Sequence, residues 1–114
     1  MMQKDNRTIA FVCTGNTCRS PMAEAIFNDM AEKNGVCVRA ESFGIATSTG
    51  LPVSENSVIA CKEIGIDLSG KASTAVADAG IEKYEKFYCM SQSHAKMLMQ
   101  FFLVQPEKIA VLGI

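Results

Sequence analysis

The sequence predicts an α/β protein built on a doubly wound parallel sheet, with residues 1–114 forming one domain. Three observations predict it. The strand candidates are short and apolar on both sides, as strands buried on both faces are. They alternate with stretches of helical period. Each helix candidate carries start and stop signals that fit a strand–helix–strand reading.

The first strand is "TIAFVC", Thr8 to Cys13, β-branched and apolar with polar residues on either side. "SPMAEAIFNDMAEKNG" follows as a helix. Ser20 serves as its N-cap and Pro21 fits the first turn; Met22, Ala25, Ile26 and Met30 form an apolar stripe, and Asn34-Gly35 ends it. "VCVRAES", Val36 to Ser42, alternates and reads as the second strand. A loop spans Gly44 to Pro52, and a helix runs from Ser54 to Glu63. Gly65 to Ser73 is irregular, with a short helix expected over Ser73 to Ala79. "KFYCM", Lys86 to Met90, is the third strand. A helix capped by Ser91 runs to about Val104 before Pro106, and "KIAVLGI", Lys108 to Ile114, is the fourth strand. Right-handed crossovers place helices on both faces, and ligands in such folds sit beyond the carboxyl ends of the strands. The loop after the first strand occupies that place.

Composition narrows the function. With 48% hydrophobic residues the chain has material for an ordinary core. A formal net charge of −1 gives no general attraction to nucleic acid or to an anionic membrane surface. No apolar run approaches the length of a membrane span, and "MMQKDNRT" is too polar for a secretory signal. The five cysteines are an odd number without a spaced framework, so they read as reduced thiols of a cytoplasmic protein.

The loop "CTGNTCRS" carries the chemistry. Between a strand end and a helix start, successive amides can converge on one anion, helped by the positive end of the helix. Gly15 and Asn16 tolerate the left-handed conformations that such a cradle needs, and Arg19 supplies a planar fork for two phosphate oxygens. Cys13 at the base of the cradle lies in a field that favours a thiolate, an activated nucleophile for in-line attack on a phosphoryl group. Ser20 is placed to donate its hydroxyl to that sulfur. Zinc fits poorly: Cys13 and Cys18 have four residues between them, and His94 is the sole histidine. No nucleotide-loop string is present. No cofactor or metal is expected.

"VCTGNTCRSPMAEAIF" closely resembles the phosphate loop and first helix of low-molecular-weight protein tyrosine phosphatases, and the resemblance continues in "SFGIATSTGLPV", "GIDLS" and "CMSQSH". It implies a flavodoxin-like four-stranded sheet and metal-free hydrolysis of a phosphorylated protein through a cysteinyl-phosphate. It also implies Cys13 as nucleophile and Arg19 as phosphate clamp, with Thr14, Gly15, Asn16, Thr17, Cys18 and Ser20 around a phosphate or sulfate ion. Asn16 and Ser20 hold the loop's shape, and Cys18 is a redox partner able to form a reversible disulfide with Cys13 and protect it from further oxidation. Tyrosine-directed members tend to carry isoleucine where this chain has Thr17, whereas protein-arginine phosphatases resemble it in having threonine. Phosphoarginine is therefore the alternative substrate. The thioredoxin-coupled arsenate reductases share the fold but need relay cysteines late in the chain, and no cysteine follows Cys89.

The family's aspartate acid, in an Asp-Pro pair after the fourth strand, has no counterpart before Ile114, nor has its last helix. The resemblance therefore implies either a C-terminal segment that follows Ile114 in the natural protein or a shortened member, with a weakened phosphate-binding or interaction module as a further alternative. An uncovered sheet face would then favour a homodimer. Neither Asp67 nor Glu107 is expected to act as the acid. Cys37, Cys61, Cys89, Met97 and Met99 read as core fillers and His94 as a solvent-facing or capping residue. Lys71 stands where many relatives have histidine or arginine, and Ser48, Thr49 and Gly50 belong to a loop that lines the cleft in relatives.

Overall fold

The computed structural model describes residues 7–112. Strands β1 (Arg7–Cys13), β2 (Val38–Gly44), β3 (Lys86–Cys89) and β4 (Ile109–Val111) alternate with helices α1 (Arg19–Lys33), α2 (Glu55–Glu63) and α3 (Gln92–Phe101). All strand pairs are parallel and the order is β2-β1-β3-β4. The chain moves from β1 outward to β2 and then crosses back over β1 to β3. The direction of winding therefore reverses at β1, which puts the loop after it at the switch point where such sheets bind ligands.

The sheet separates two apolar layers. Ile9, Phe11, Cys13 and Ala40 face α1, which contributes Ala23 and Phe27. Ala10, Val12, Phe87 and Cys89 face the opposite side, against Ala95 and Leu98 of α3 and against Val76, Tyr84 and Val104. β1 is therefore buried on both faces, as its unbroken apolar run requires. α2 lies beside α1, where Cys61, Val53 and Leu68 pack with Met22 and Ala25.

Several boundaries differ from the sequence expectation. β2 begins at Val38 because the Val36 N–H turns back to the Ala31 carbonyl, with Gly35 at a φ of 67° ending α1. Val36 and Cys37 are left exposed, so Cys37 is not a core filler, whereas Cys61 and Cys89 are. The expected helix at Ser73–Ala79 is a single 3-10 turn, Val76–Asp78, because Ala72 and Ala75 are engaged in isolated bridges to Pro52 and Gly44. α3 stops at Phe101, short of Val104, and Leu103 reverses the chain at a φ of 56°. The last strand covers Ile109–Val111 of the expected Lys108–Ile114; residues 113 and 114 lie outside the described residues.

Candidate functional site

Residues 13–20 turn the end of β1 into the start of α1. Helix α1 begins at Arg19 with Cys18 in the N-cap position, and no side chain caps it. Ser20 is therefore not the cap expected from sequence. It is fully buried in the first turn, and its Oγ lies 2.9 Å from Cys13 Sγ. Asn16 takes the left-handed conformation at a φ of 54°, while Gly15 does not, so only one of the two residues expected to need that freedom uses it.

Asn16 is the pivot of the loop. Its Oδ1 accepts from the Thr74 N–H at 2.7 Å, which fixes the side-chain amide so that Nδ2 donates to Ser20 Oγ at 2.8 Å and to Ser42 Oγ at 2.9 Å. Ser20 Oγ thus accepts from Asn16, and its own proton is available to Cys13 Sγ. The Asn16 N–H also points at that sulfur, at 3.3 Å. Ser42 passes the polarity outward: its hydroxyl donates to Glu24 Oε1 at 2.6 Å, and Lys71 Nζ holds Glu24 Oε2 at 2.8 Å. Buried networks satisfied in this way fix one geometry.

Backbone contacts hold the loop from outside. The Ile45 and Ala46 N–H groups donate to the carbonyls of Cys13 and Thr14, and the Ser54 N–H to that of Thr17 at 2.7 Å. Gly44 allows the approach: a Cβ there would lie 2.6 Å from Thr47 Cγ2, 2.9 Å from the Thr14 carbonyl oxygen and 3.0 Å from the Gly15 carbonyl carbon. The Gly15, Thr17 and Cys18 amides find no acceptor among the described residues. Donors of this kind, in a strand-to-helix turn, suit an anion.

The other expected site residues fall around this cup. Cys13 is buried; Thr14, Cys18 and Arg19 are exposed; Gly15 and Thr17 are half-buried. His94, expected at the surface or as a cap, is buried instead. Its Nε2 lies 2.9 Å from Thr14 Oγ1 and its Nδ1 3.2 Å from Ser91 Oγ. Burial and the Arg19 charge both push its pKa down, which keeps the imidazole neutral. Burial holds the Cys89 thiol up at about 12, so it is inert. Thr49 is exposed but its hydroxyl is engaged: it donates to Asp78 Oδ2 at 2.5 Å and accepts from the Ala75 N–H at 3.0 Å. Asp67 receives both the Ser69 N–H and hydroxyl, and these bonds lower its pKa. It is held ionised in a turn, which is unsuited to giving a proton.

Sequence reasoning missed Ser42, Gly44, Glu24 and Thr74. Ser42 and Gly44 could have been flagged as a small hydroxyl and a glycine at the carboxyl end of a strand neighbouring β1. Thr74 acts through its backbone and leaves no signal in the sequence.

Comparison with known proteins agrees with this geometry. The model of the low molecular weight phosphotyrosine protein phosphatase family matches residues 8–113. The chain is 35% identical over 104 residues to a protein-arginine-phosphatase of Bacillus subtilis, covering 91% of this chain and 69% of that protein. It is 36% identical over 86 residues to the low molecular weight protein-tyrosine-phosphatase YfkJ of the same organism, covering 73% and 55%. The crystal structure of a low molecular weight protein tyrosine phosphatase from T. tengcongensis superposes with a TM-score of 0.86 at 35% identity, over 92% of this chain and 72% of the other. This chain thus spans between about half and three quarters of the length of each of these relatives. With its sheet order, its β1–α1 cup and this match over nearly all of its length, the chain belongs to the low-molecular-weight protein tyrosine phosphatase family.

Proposed function

We propose that this protein is a phosphatase acting on phosphorylated protein side chains, with phosphotyrosine as the first substrate class and Cys13 as the nucleophile. One observation carries the reading: Cys13 Sγ receives the Asn16 N–H and lies 2.9 Å from a Ser20 hydroxyl whose lone pair is already engaged by Asn16. Both groups hold the sulfur at the floor of the cup, in place for attack on a bound phosphoryl group. The thiolate attacks phosphorus in line, the S–P bond forms as the bond to the leaving oxygen breaks, and the electron pair departs on that oxygen. Arg19 and the loop amides neutralise the charge spread over the three remaining oxygens. Water then displaces the sulfur and releases inorganic phosphate.

The test is hydrolysis of a small aryl phosphate, whose phenolate leaves without help from an acid. Turnover that is inhibited by vanadate and abolished by Cys13→Ser is the expected result. Vanadate binding without turnover would instead indicate a phosphate-binding module.

Phosphoarginine is the second reading, favoured by Thr17. This residue is half-buried in the cup, with its hydroxyl 3.5 Å from the site of a Gly15 Cβ. A hydroxyl there suits a polar guanidinium leaving group. Thr17→Ile should lower the ratio of phosphoarginine to phosphotyrosine hydrolysis; an unchanged ratio removes this reading. Cys18, exposed at the rim, is the proposed redox partner of Cys13. Peroxide inactivation reversible by thiol in the parent, and irreversible in Cys18→Ser, is expected. The exposed thiols Cys18 and Cys37 fit a reducing cytoplasm. Tyr88, half-buried on the α1 side of the sheet, favours a homodimer through that face; sedimentation as a monomer at all concentrations would exclude it.

A further inference from the structure

We infer that Thr14 contacts the bound phosphoryl group as a hydrogen-bond donor and that His94 is the positioning residue that turns its hydroxyl toward it. The inference rests on the phosphatase reading and adds two residues to it.

Four polar groups stand in a row. Thr14 Oγ1 is 2.9 Å from His94 Nε2, His94 Nδ1 is 3.2 Å from Ser91 Oγ, and Ser91 Oγ is 2.9 Å from Ser93 Oγ. Each hydroxyl owns one proton, and the neutral ring owns one on one of its two nitrogens. Each of the two ring tautomers satisfies every contact. In one, Thr14 donates to Nε2, Nδ1–H to Ser91 and Ser91 to Ser93. In the other, all directions reverse: Ser93 donates to Ser91, Ser91 to Nδ1 and Nε2–H to Thr14, whose own proton then points away from the ring. With Nδ1–H facing Ser91, Ser93 can equally donate to Ser91, which then accepts twice, so the ring tautomer alone sets the direction at Thr14.

An anion in the cup decides between them. Thr14 directly follows Cys13, is exposed, and has its carbonyl tied to the Ala46 N–H at 3.0 Å. Its backbone is therefore held beside Cys13 at the rim of the cup, and its hydroxyl is tied to His94 Nε2. Facing a phosphate dianion, a hydroxyl that presents its lone pair is repelled, and one that presents its proton gains a charge-assisted bond. Oxyanion binding thus selects the Nε2–H form of His94. The exposed Ser93 end of the row opens to water, so the reversal leaves no buried group unpaired.

His94 is the sole histidine in the chain, so its two ring nitrogens can be read in a 15N spectrum without ambiguity. With inorganic phosphate or vanadate bound, Nε2 is expected to carry the proton and Nδ1 to appear as the unprotonated nitrogen. A ring protonated at Nδ1 in the bound state overturns the inference. In kinetics with an aryl phosphate, Thr14→Val keeps the shape, removes the donor and should lower kcat/KM by about tenfold. Thr14→Ser should restore most of that loss. His94→Gln, which can place an N–H near the Nε2 position, should retain more activity than His94→Phe, and His94→Phe should add little to Thr14→Val. Full kcat/KM in Thr14→Val, with the parent enzyme active, overturns the inference and leaves the phosphatase reading standing. A parent chain that binds no oxyanion overturns both.

Discussion

Asn16 Oδ1 accepts the Thr74 backbone N–H at 2.7 Å, so a residue in the middle of an irregular segment decides which way the buried loop amide points. Turned the other way, Asn16 would offer its oxygen to the Ser20 and Ser42 hydroxyls and both would lose the donor they now receive. Asn16→Ala should therefore lose the three side-chain bonds and the residue's tolerance of a positive φ together. Left-handed backbone costs roughly 1–2 kcal/mol in a residue with a Cβ. Each buried group left unpaired costs about 1–3 kcal/mol more. A strongly lowered Tm is expected, and Asn16→Gly should recover only the backbone share. Equal stability of the two variants would contradict this account.

Ser20→Ala tests the link between network and sulfur. It removes the hydroxyl 2.9 Å from Cys13 Sγ and leaves one Asn16 N–H without its acceptor. A hydrogen bond to a charged group contributes about 1.5–3 kcal/mol, so kcat on an aryl phosphate should fall by roughly 10- to 100-fold. Ser20→Thr keeps the oxygen but must fit a methyl into a fully buried site, and should lose stability more than rate.

Gly44 and Gly15 make a paired comparison. Gly44→Ala drives a Cβ to 2.9 Å from the Thr14 carbonyl and 3.0 Å from the Gly15 carbonyl carbon, both backbone atoms that no rotamer change can clear. The cup must move away from β2, at a cost of about 1–3 kcal/mol and with loss of oxyanion affinity. A Cβ at Gly15 meets only Thr17 Oγ1 at 3.5 Å, ordinary contact, and the residue has no positive φ. Gly15→Ala should leave thermal stability nearly unchanged. Chemical denaturation of both variants and vanadate titration of Gly44→Ala check the contrast.

The His94 ring gives the stability profile a sign. Its pKa is lowered in the folded state by burial and by Arg19, relative to an ordinary 6.5. Below that value the unfolded chain binds a proton that the folded chain resists. The unfolded state then holds more protons, and stability falls as pH falls. Above it the two states are equally deprotonated and this contribution to the slope vanishes. Urea unfolding at about pH 7.5 and about pH 5.5 should show a larger drop for the parent than for His94→Gln, which cannot titrate. Equal drops would show that His94 does not govern this window.

The sheet and the cup were legible in the chain because their signals are local. β1 reads as an apolar run, and Cys13 to Ser20 is a contiguous string whose residue types suit one anion. The scaffolding was not legible, since it depends on register. The pairing of Cys13 with Gly44 brings Gly44, Ser42 and the Ala46 N–H to the loop, and that register leaves no local signal in the chain. Thr74 serves through a backbone N–H that any residue but proline would have. His94 looked like a surface residue because its stretch, "SQSH", is polar. Its partner lies 80 positions earlier, in Thr14, beyond the reach of any periodicity.

The most direct test is to mix the protein with an aryl phosphate, quench within the first turnover and weigh it by intact mass spectrometry. The account predicts one added phosphoryl group on the peptide carrying Cys13, lost in Cys13→Ala. Phosphate release that persists in Cys13→Ala, or turnover with the added group found on another residue, would contradict it.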